Sequence, residues 1–424
     1  MKKTTNARLQ ESYVCEVLDN GLTVLLWEKP GFQKSNFMFA TPFGGCDSRQ
    51  VDEEGKIYEY PKGIAHFLEH KMFETKDGDA LDTFSSLGAD VNAFTSYNET
   101  AYYFSITTDP TKALHALLDF VQELHIDEAS VEKEKGIITQ EFMRFQQSSD
   151  ARLFHDAIAS VYHEYPLKDD ILGTKQSIQD ISVEKLYECY HLNYHPSRMI
   201  LIGVSAMDPK MLLAEIKKNQ DAKTFTKKIA LKRFPYQEPH EVFDREASIS
   251  MDVSTYKVAQ VYKFEGIQNA LEANKMDWAL TLLLDTLFSS LSNDYQTWLD
   301  DEIINETFSH HVEIANDHGL LMFVGESDKV DAFHTLINET LKKDLDINVE
   351  HLESLKRKYF GSNVRSLNNF ENISIGFIRS FFEKVDFFES ILCVKDITVA
   401  DLQKAKALLD LENYCKFTIE PTKS

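Results

Sequence analysis

From about residue 247 the succession of strand-like and helix-like segments in this chain starts over, and that recurrence limits the fold more than any other feature. The first half reads as strands at 12–18 and 22–27 around the hairpin turn Asp19-Asn20-Gly21, then a buried apolar strand at 36–42. A charged surface loop at 47–60 leads to a helix opening at Gly63. After it come a turn at Asp77-Gly78-Asp79, a short helix at 80–87 stopped by Gly88, and strands at 91–96 and 101–107. Helices follow at 110–124, 131–142, 151–164 and from the N-cap Ser182 to about His191, then a strand at 199–204 and a helix at 208–219. The second half gives strands at 249–253 and 258–264, a long apolar helix at 276–291, and strands at 307–315 and 320–324. It closes with helices at 328–343, 349–365, 377–388 and 398–409 and a strand at 414–419. A chain of 424 residues is too long for a single core. The expected fold is α+β, two similar lobes, each a mostly antiparallel sheet covered by helices. Residues 1–219 are expected to form one lobe, 220–246 a linker and 247–424 the other.

The linker reading rests on a change of character. Lys223, Lys227, Lys228, Lys232 and Arg233 cluster there, followed by Pro235 and Pro239. Such a stretch is either a solvated connection or a functional basic patch, and the first requires no partner. The chain as a whole carries a net charge of −23 with no compensating basic domain, which argues against nucleic acid as a partner. No run of eighteen apolar residues is present, so no membrane span is expected. The basic residues near Met1 are not followed by an apolar segment of the kind secretory signals carry. The cysteines (Cys15, Cys46, Cys189, Cys393, Cys415) are odd in number, scattered and without a Cys-x-x-Cys pair. That usage suits a reducing cytoplasm and offers no thiolate metal site.

The segment Gly63-Ile64-Ala65-His66-Phe67-Leu68-Glu69-His70 places two imidazoles and a carboxylate within five residues. On an α-helix His66 and His70 share a face, with Glu69 on its flank. Ile64, Ala65, Phe67, Leu68 and Met72 interleave with them, so the polar groups ride on an apolar helix. Two neutral imidazoles one turn apart can hold a zinc ion, and a carboxylate beside them can act as general base on a zinc-activated water. The order His-x-x-Glu-His is the inverzincin signature. Histidine pairs on amphipathic helices are more often core-edge or surface residues, so the motif alone leaves both readings open. A third ligand downstream decides between them.

Residues 131–142 are helical by period, and Glu134 and Glu141, two turns apart, share a face. Acidic runs of this kind are usually solvated faces with lysine partners. Glu141 departs from that pattern: it sits near Ile137, Ile138 and Phe142 and has no lysine four residues away on either side. The second half has no His-x-x-Glu-His. Its histidine cluster, His310-His311-Val312-Glu313, lies on an expected strand, where adjacent side chains point to opposite faces and chelate poorly.

Together these residues resemble the pitrilysin/insulinase/mitochondrial processing peptidase family of zinc metallopeptidases, in particular its shorter bacterial members of one two-lobe subunit. Asp19-Asn20-Gly21-Leu22-Thr23-Val24 resembles the family's opening hairpin, and Gly63 to Phe73 its metal helix. Asn92-Ala93-Phe94-Thr95-Ser96 with Thr100-Ala101-Tyr102 resembles its substrate-edge strands. Glu132 to Glu141 resembles the helix of the third ligand, and Tyr194-His195-Pro196 a later landmark. The resemblance implies a zinc endopeptidase with one Zn2+ per chain, bound by His66, His70 and Glu141, with Glu69 as general base. Glu134 would orient a ligand. Asn92 and Ala93 would contact a peptide lying along the strand edge. Residues 1–219 would be the zinc-binding catalytic lobe and 247–424 a lobe without metal. Paired subunits, as a homodimer or a heterodimer with a related chain, would enclose a chamber that admits short or unfolded peptides.

One departure concerns the second half, where related chains often place an arginine and a tyrosine facing the metal. Arg379 is the candidate here, but Ser380 follows it. Arg379 is either a substrate contact or an ordinary arginine of an amphipathic helix. Two other functions compete: a non-catalytic subunit on the same fold, and a metal-dependent hydrolase of a non-peptide substrate. Against the first stands the complete metal set; against the second, by resemblance, the strand edge at 91–107.

Overall fold

The structure is a computed structural model that describes residues 1–76 and 78–422, so Asp77 of the expected turn at 77–79 lies outside the described residues. Its strands, in chain order, are β1 (Lys2–Asn6), β2 (Glu11–Val17), β3 (Thr23–Glu28), β4 (Ser35–Thr41), β5 (Arg49–Asp52), β6 (Ile57–Glu59), β7 (Glu74–Thr75), β8 (Gly78–Asp79) and β9 (Asp90–Thr95). They continue as β10 (Thr100–Ile106), β11 (Ile200–Ser205), β12 (Leu231–Arg233), β13 (Glu246–Met251), β14 (Lys257–Phe264), β15 (Ser309–Ile314), β16 (Gly319–Glu326) and β17 (Tyr414–Pro421).

Two sheets result. The first runs β1-β2-β3-β11-β4-β10-β9 and the second β13-β17-β14-β16-β15. Each contains one parallel pair, β3 with β11 and β13 with β17, and is otherwise antiparallel. The order β3-β11-β4-β10-β9 in the first sheet therefore matches β13-β17-β14-β16-β15 in the second, strand for strand and direction for direction. Two similar lobes of mostly antiparallel sheet and helix are what the sequence pattern called for. In that correspondence the helix Ala270–Phe288, between β14 and β15, takes the place in chain order of the helix Ile64–Met72, between β4 and β9.

The central strands are buried at nearly every position: β4 throughout, β14 at all but its first residue. A strand buried on both faces needs a layer on each side. In the first sheet Phe37 and Phe39 face a core that includes Phe67, Phe104 and Leu114. The opposite face is covered by the helix Phe370–Glu383. There Ser374 donates a 2.9 Å hydrogen bond to Asn36 Oδ1. The Phe377 ring lies 4.7 Å from Tyr13 and 5.8 Å from Trp27, both edge-on. In the second sheet the helix Ser149–Ala159 plays that part, against β14 and β17. Lys257 pairs with Asp150 at 2.7 Å, and the Phe154 ring lies 5.7 Å from His311.

The compact units are accordingly interleaved along the chain. One comprises Met1–Met143, Asp169–Pro235 and Ser366–Phe382; the other comprises Arg144–Lys168, Tyr236–Arg365 and Glu383 onward. Each half of the chain supplies the helix that covers the other half's sheet, which a single break at 220–246 does not capture.

Three local expectations change. The expected loop at 47–60 contains β5 and β6, which pair with each other and, through β5, with β12. Part of the expected linker is thus a strand of the first unit, secured by Arg233 Nε on Asp47 at 3.1 Å. The helix expected through 377–388 is two helices, Phe370–Glu383 and Phe387–Leu392, because Lys384 adopts a left-handed φ of 61° that ends the first. The helix expected to run to 164 stops at Ala159.

Candidate metal centre

The helix Ile64–Met72 begins where only glycine fits. Gly63 has φ 90°, and a Cβ there would lie 2.4 Å from the Leu172 carbonyl oxygen. Ile64, Ala65, Phe67, Leu68 and Met72 are buried in the first unit's core, which sets the helix's rotation. His66 and His70 then emerge together, their ring centroids 4.5 Å apart.

Glu141 reaches this pair from the helix Glu128–Gln146. Its Oε2 lies 3.8 Å from His66 Nε2 and 3.7 Å from His70 Nε2. Among the described residues these three form the one group of histidine, cysteine and carboxylate side chains whose donor atoms are mutually within 4.8 Å. The separations exceed hydrogen-bond range. A tetrahedral zinc about 2.1 Å from each donor would hold them roughly 3.4 Å apart, so the spacing and the nitrogen–oxygen donor set fit zinc. Burial, and then the neighbouring His70, push His66 down to about 3, so its imidazole is neutral and its nitrogen free to donate to a cation.

Glu134 lies one layer out. Its Oε1 is 3.0 Å from His70 Nδ1, a bond that in the neutral ring puts the proton on Nδ1 and leaves Nε2 bare toward Glu141. Burial alone would lower the His70 pKa; the Glu134 hydrogen bond and the carboxylates of Glu69, Glu134 and Glu141 outweigh it and raise it. His66 Nδ1, by contrast, is buried with no hydrogen-bond partner among the described residues.

Glu69 is 9% exposed, and burial raises its pKa, with Glu141 adding to the effect. Its Oε2 accepts a 3.0 Å hydrogen bond from Thr95 Oγ1 at the end of β9. Strand β9 is the last strand of its sheet, and its outer edge carries no further strand among the described residues. Asn92 and Ala93 lie on that edge strand; Asn92 is exposed, and its Oδ1 accepts from the Ala93 amide at 2.8 Å. Arg379 donates from Nε to Glu99 Oε1 at 3.1 Å, at the turn between β9 and β10.

The structure thus brings His66, His70, Glu69, Glu134 and Glu141 together, puts Asn92 and Ala93 on the strand that ends at Thr95, and engages Arg379 with Glu99. Sequence reasoning gave no role to Thr95 or to Lys71. Thr95 was visible only as part of the edge-strand segment. Lys71 has a faint signal, a lysine set into an apolar helix with Glu74 three residues on. Glu132 keeps a lysine partner on its own helix, Lys135 at 2.6 Å.

Fold and centre together define a two-unit scaffold with a zinc-type donor set on the first unit. Residues 53–175 match the family Insulinase (Peptidase family M16), and residues 180–362 match Peptidase M16 inactive domain. Over 399 residues the chain is 36% identical to the uncharacterized zinc protease YmfH of Bacillus subtilis (strain 168), a match that spans 93% of each. This chain belongs to the insulinase (M16) family of peptidases. It superposes on the crystal structure of an M16-like peptidase from Alicyclobacillus acidocaldarius with a TM-score of 0.91 and 31% identity, covering 97% of this chain and 98% of that one. A more distant match, the mitochondrial-processing peptidase subunit beta of Neurospora crassa, is 30% identical over 46% of this chain and 40% of that protein. No helix among the described residues is long and apolar enough to cross a membrane.

Proposed function

We propose that the protein is a zinc-dependent endopeptidase acting on short or unfolded peptides. The observation that carries this reading is the constellation of His66, His70 and Glu141 with Glu69 held beside it by Thr95. The three are the ligands of one Zn2+ per chain, and residues 1–219 hold the metal chemistry while 247–424 bind none. That the YmfH relative is named a zinc protease, and that the family matching 180–362 is described as inactive, support the assignment.

When bound, zinc supplies Lewis acidity to the scissile carbonyl and to the attacking water. Glu69 takes the proton from that water and passes it to the leaving amine, and its raised pKa keeps it basic enough to accept and acidic enough to return the proton. Thr95 fixes the Glu69 carboxylate, and Glu134 fixes the His70 tautomer. An extended peptide adds to the outer edge of β9 through its backbone, with Asn92 and Ala93 in contact, so side-chain selectivity is weak. Asn92 must then release the Ala93 amide. Arg379, with Nε on Glu99, would meet substrate through its other guanidinium N–H groups.

Paired subunits, two copies of this chain or this chain with a related one, enclose the chamber; one relative is named as a subunit of a processing peptidase. The cytoplasm is the site of action, in keeping with five free cysteines. Cleavage of a quenched peptide library by the purified chain should depend on zinc and vanish in Glu69→Gln while zinc stays bound. Undiminished cleavage by that variant, with chelator controls, would refute the mechanism.

A further inference from the structure

We propose that Lys71 is a positioning residue of the metal centre: it holds Glu134, which in turn fixes the His70 ring. The inference rests on the assignment of His66, His70 and Glu141 as ligands and adds a residue outside that set.

Lys71 is 4% exposed, and a buried ammonium is costly unless it is paired. Its partners are specific. Nζ pairs closely with Glu74 Oε2, lies 3.7 Å from Glu134 Oε2 and 3.5 Å from the Ser130 carbonyl oxygen. The two oxygens of Glu134 therefore have different tasks: Oε1 faces His70 Nδ1 at 3.0 Å, and Oε2 faces the ammonium.

A carboxylate held by one oxygen turns easily about its last torsion, which is broad and two-fold. With Oε1 hydrogen-bonded and Oε2 drawn to the ammonium at ion-pair distance, that turning is restrained, and so is the imidazole that the carboxylate orients. Ser130 and Glu134 lie one turn apart on the helix that also carries Glu141. Lys71 thereby ties the helix of the two histidines to the helix of the third ligand. Glu74, at 41% side-chain exposure, balances the lysine's charge. Replacing Lys71 by methionine, which keeps the length of the stem, leaves the Glu74 carboxylate unbalanced; by charge alone that would strengthen cation binding, so a weakened affinity reports orientation and not field.

The test measures zinc affinity by competition with a chromophoric chelator and the visible spectrum of the Co2+-loaded protein, for wild type and Lys71→Met, each with and without Glu134→Gln. Lys71→Met should weaken zinc binding about tenfold and shift the Co2+ bands, with Lys71→Arg restoring both. In the Glu134→Gln background the same substitution should change affinity by less than about twofold, because the path through Glu134 is already broken. Wild-type affinity and spectrum in Lys71→Met, or an equal loss in both backgrounds, would overturn the proposal and leave Lys71 a packing residue. Should Lys71→Met not fold, Lys71→Gln, a neutral amide of similar reach, carries the same expectations. A wild-type chain that binds neither zinc nor Co2+ would overturn the ligand assignment itself, and this inference with it.

Discussion

Thr95 Oγ1 donates a 3.0 Å hydrogen bond to Glu69 Oε2, which joins the open edge strand of the first sheet to the acid on the metal helix. Under the proposed function, a peptide that adds to β9 settles against the same strand that fixes the proton-transfer group. Thr95→Val keeps the shape and removes the donor. Glu69 should then lose its preferred rotamer, and kcat/KM for peptide cleavage should fall by about ten- to a hundredfold with zinc content unchanged. Thr95→Ser should recover most of it. A Thr95→Val enzyme of wild-type activity would show that the bond is incidental.

On the proposed assignment Glu134 acts on a ligand and not on the substrate, and its variant should behave differently. Glu134→Gln keeps the hydrogen-bonding reach toward His70 Nδ1 but loses the charge. Zinc affinity should drop by about ten- to a hundredfold. Activity measured with zinc in excess should fall much less. Equal losses in affinity and in saturated activity would assign Glu134 a direct part in the chemistry.

The sequence exposed the metal helix because its chemistry lies within one turn, where helical period alone decides which side chains meet. Glu141 stood out as an acid without a lysine among apolar neighbours. Lys71 and Thr95 did not stand out, since each meets a residue far along the chain: Lys71 with Glu134, Thr95 with Glu69. The sheets were legible as two series of strands. The five-strand correspondence was not, because register and order are set by pairings such as β3 with β11, across most of a lobe. The strands at Arg49–Asp52 and Ile57–Glu59 hid behind their charges, Arg49, Asp52 and Glu59, which a small solvent-facing sheet tolerates. Nothing local could tell that Phe377 would pack on Tyr13 and Trp27.

That last contact makes a prediction of its own. Phe377 is 4% exposed between the rings of Tyr13 and Trp27. Phe377→Ala should destabilise the first unit by about 3–5 kcal/mol, although the substitution lies in the C-terminal half of the chain. Trp27 fluorescence, isolated by replacing Trp278 and Trp298 with phenylalanine, should report an earlier urea transition. An unchanged Trp27 transition would mean that the helix Phe370–Glu383 is not needed to cover the first sheet.

His318, in the second unit, should leave a pH signature on stability. It is 5% exposed, with Nδ1 at 2.9 Å from Asp317 and Nε2 at 3.1 Å from Glu313. Burial alone would lower its pKa; the two carboxylates, by hydrogen bond and by charge, outweigh burial and raise it to about 9 from its ordinary 6.5. Because the folded value stands above the unfolded one, the imidazolium's contribution is complete below pH 6.5 and is lost as pH rises through about 9. The full loss is about 3 kcal/mol. His318→Gln removes this titration, so the difference in urea stability between wild type and variant should shrink steadily from pH 6.5 to 9. Both proteins titrate their other groups alike, which makes that difference the quantity to measure. Parallel curves across the range would show that His318 is not held charged by Asp317 and Glu313.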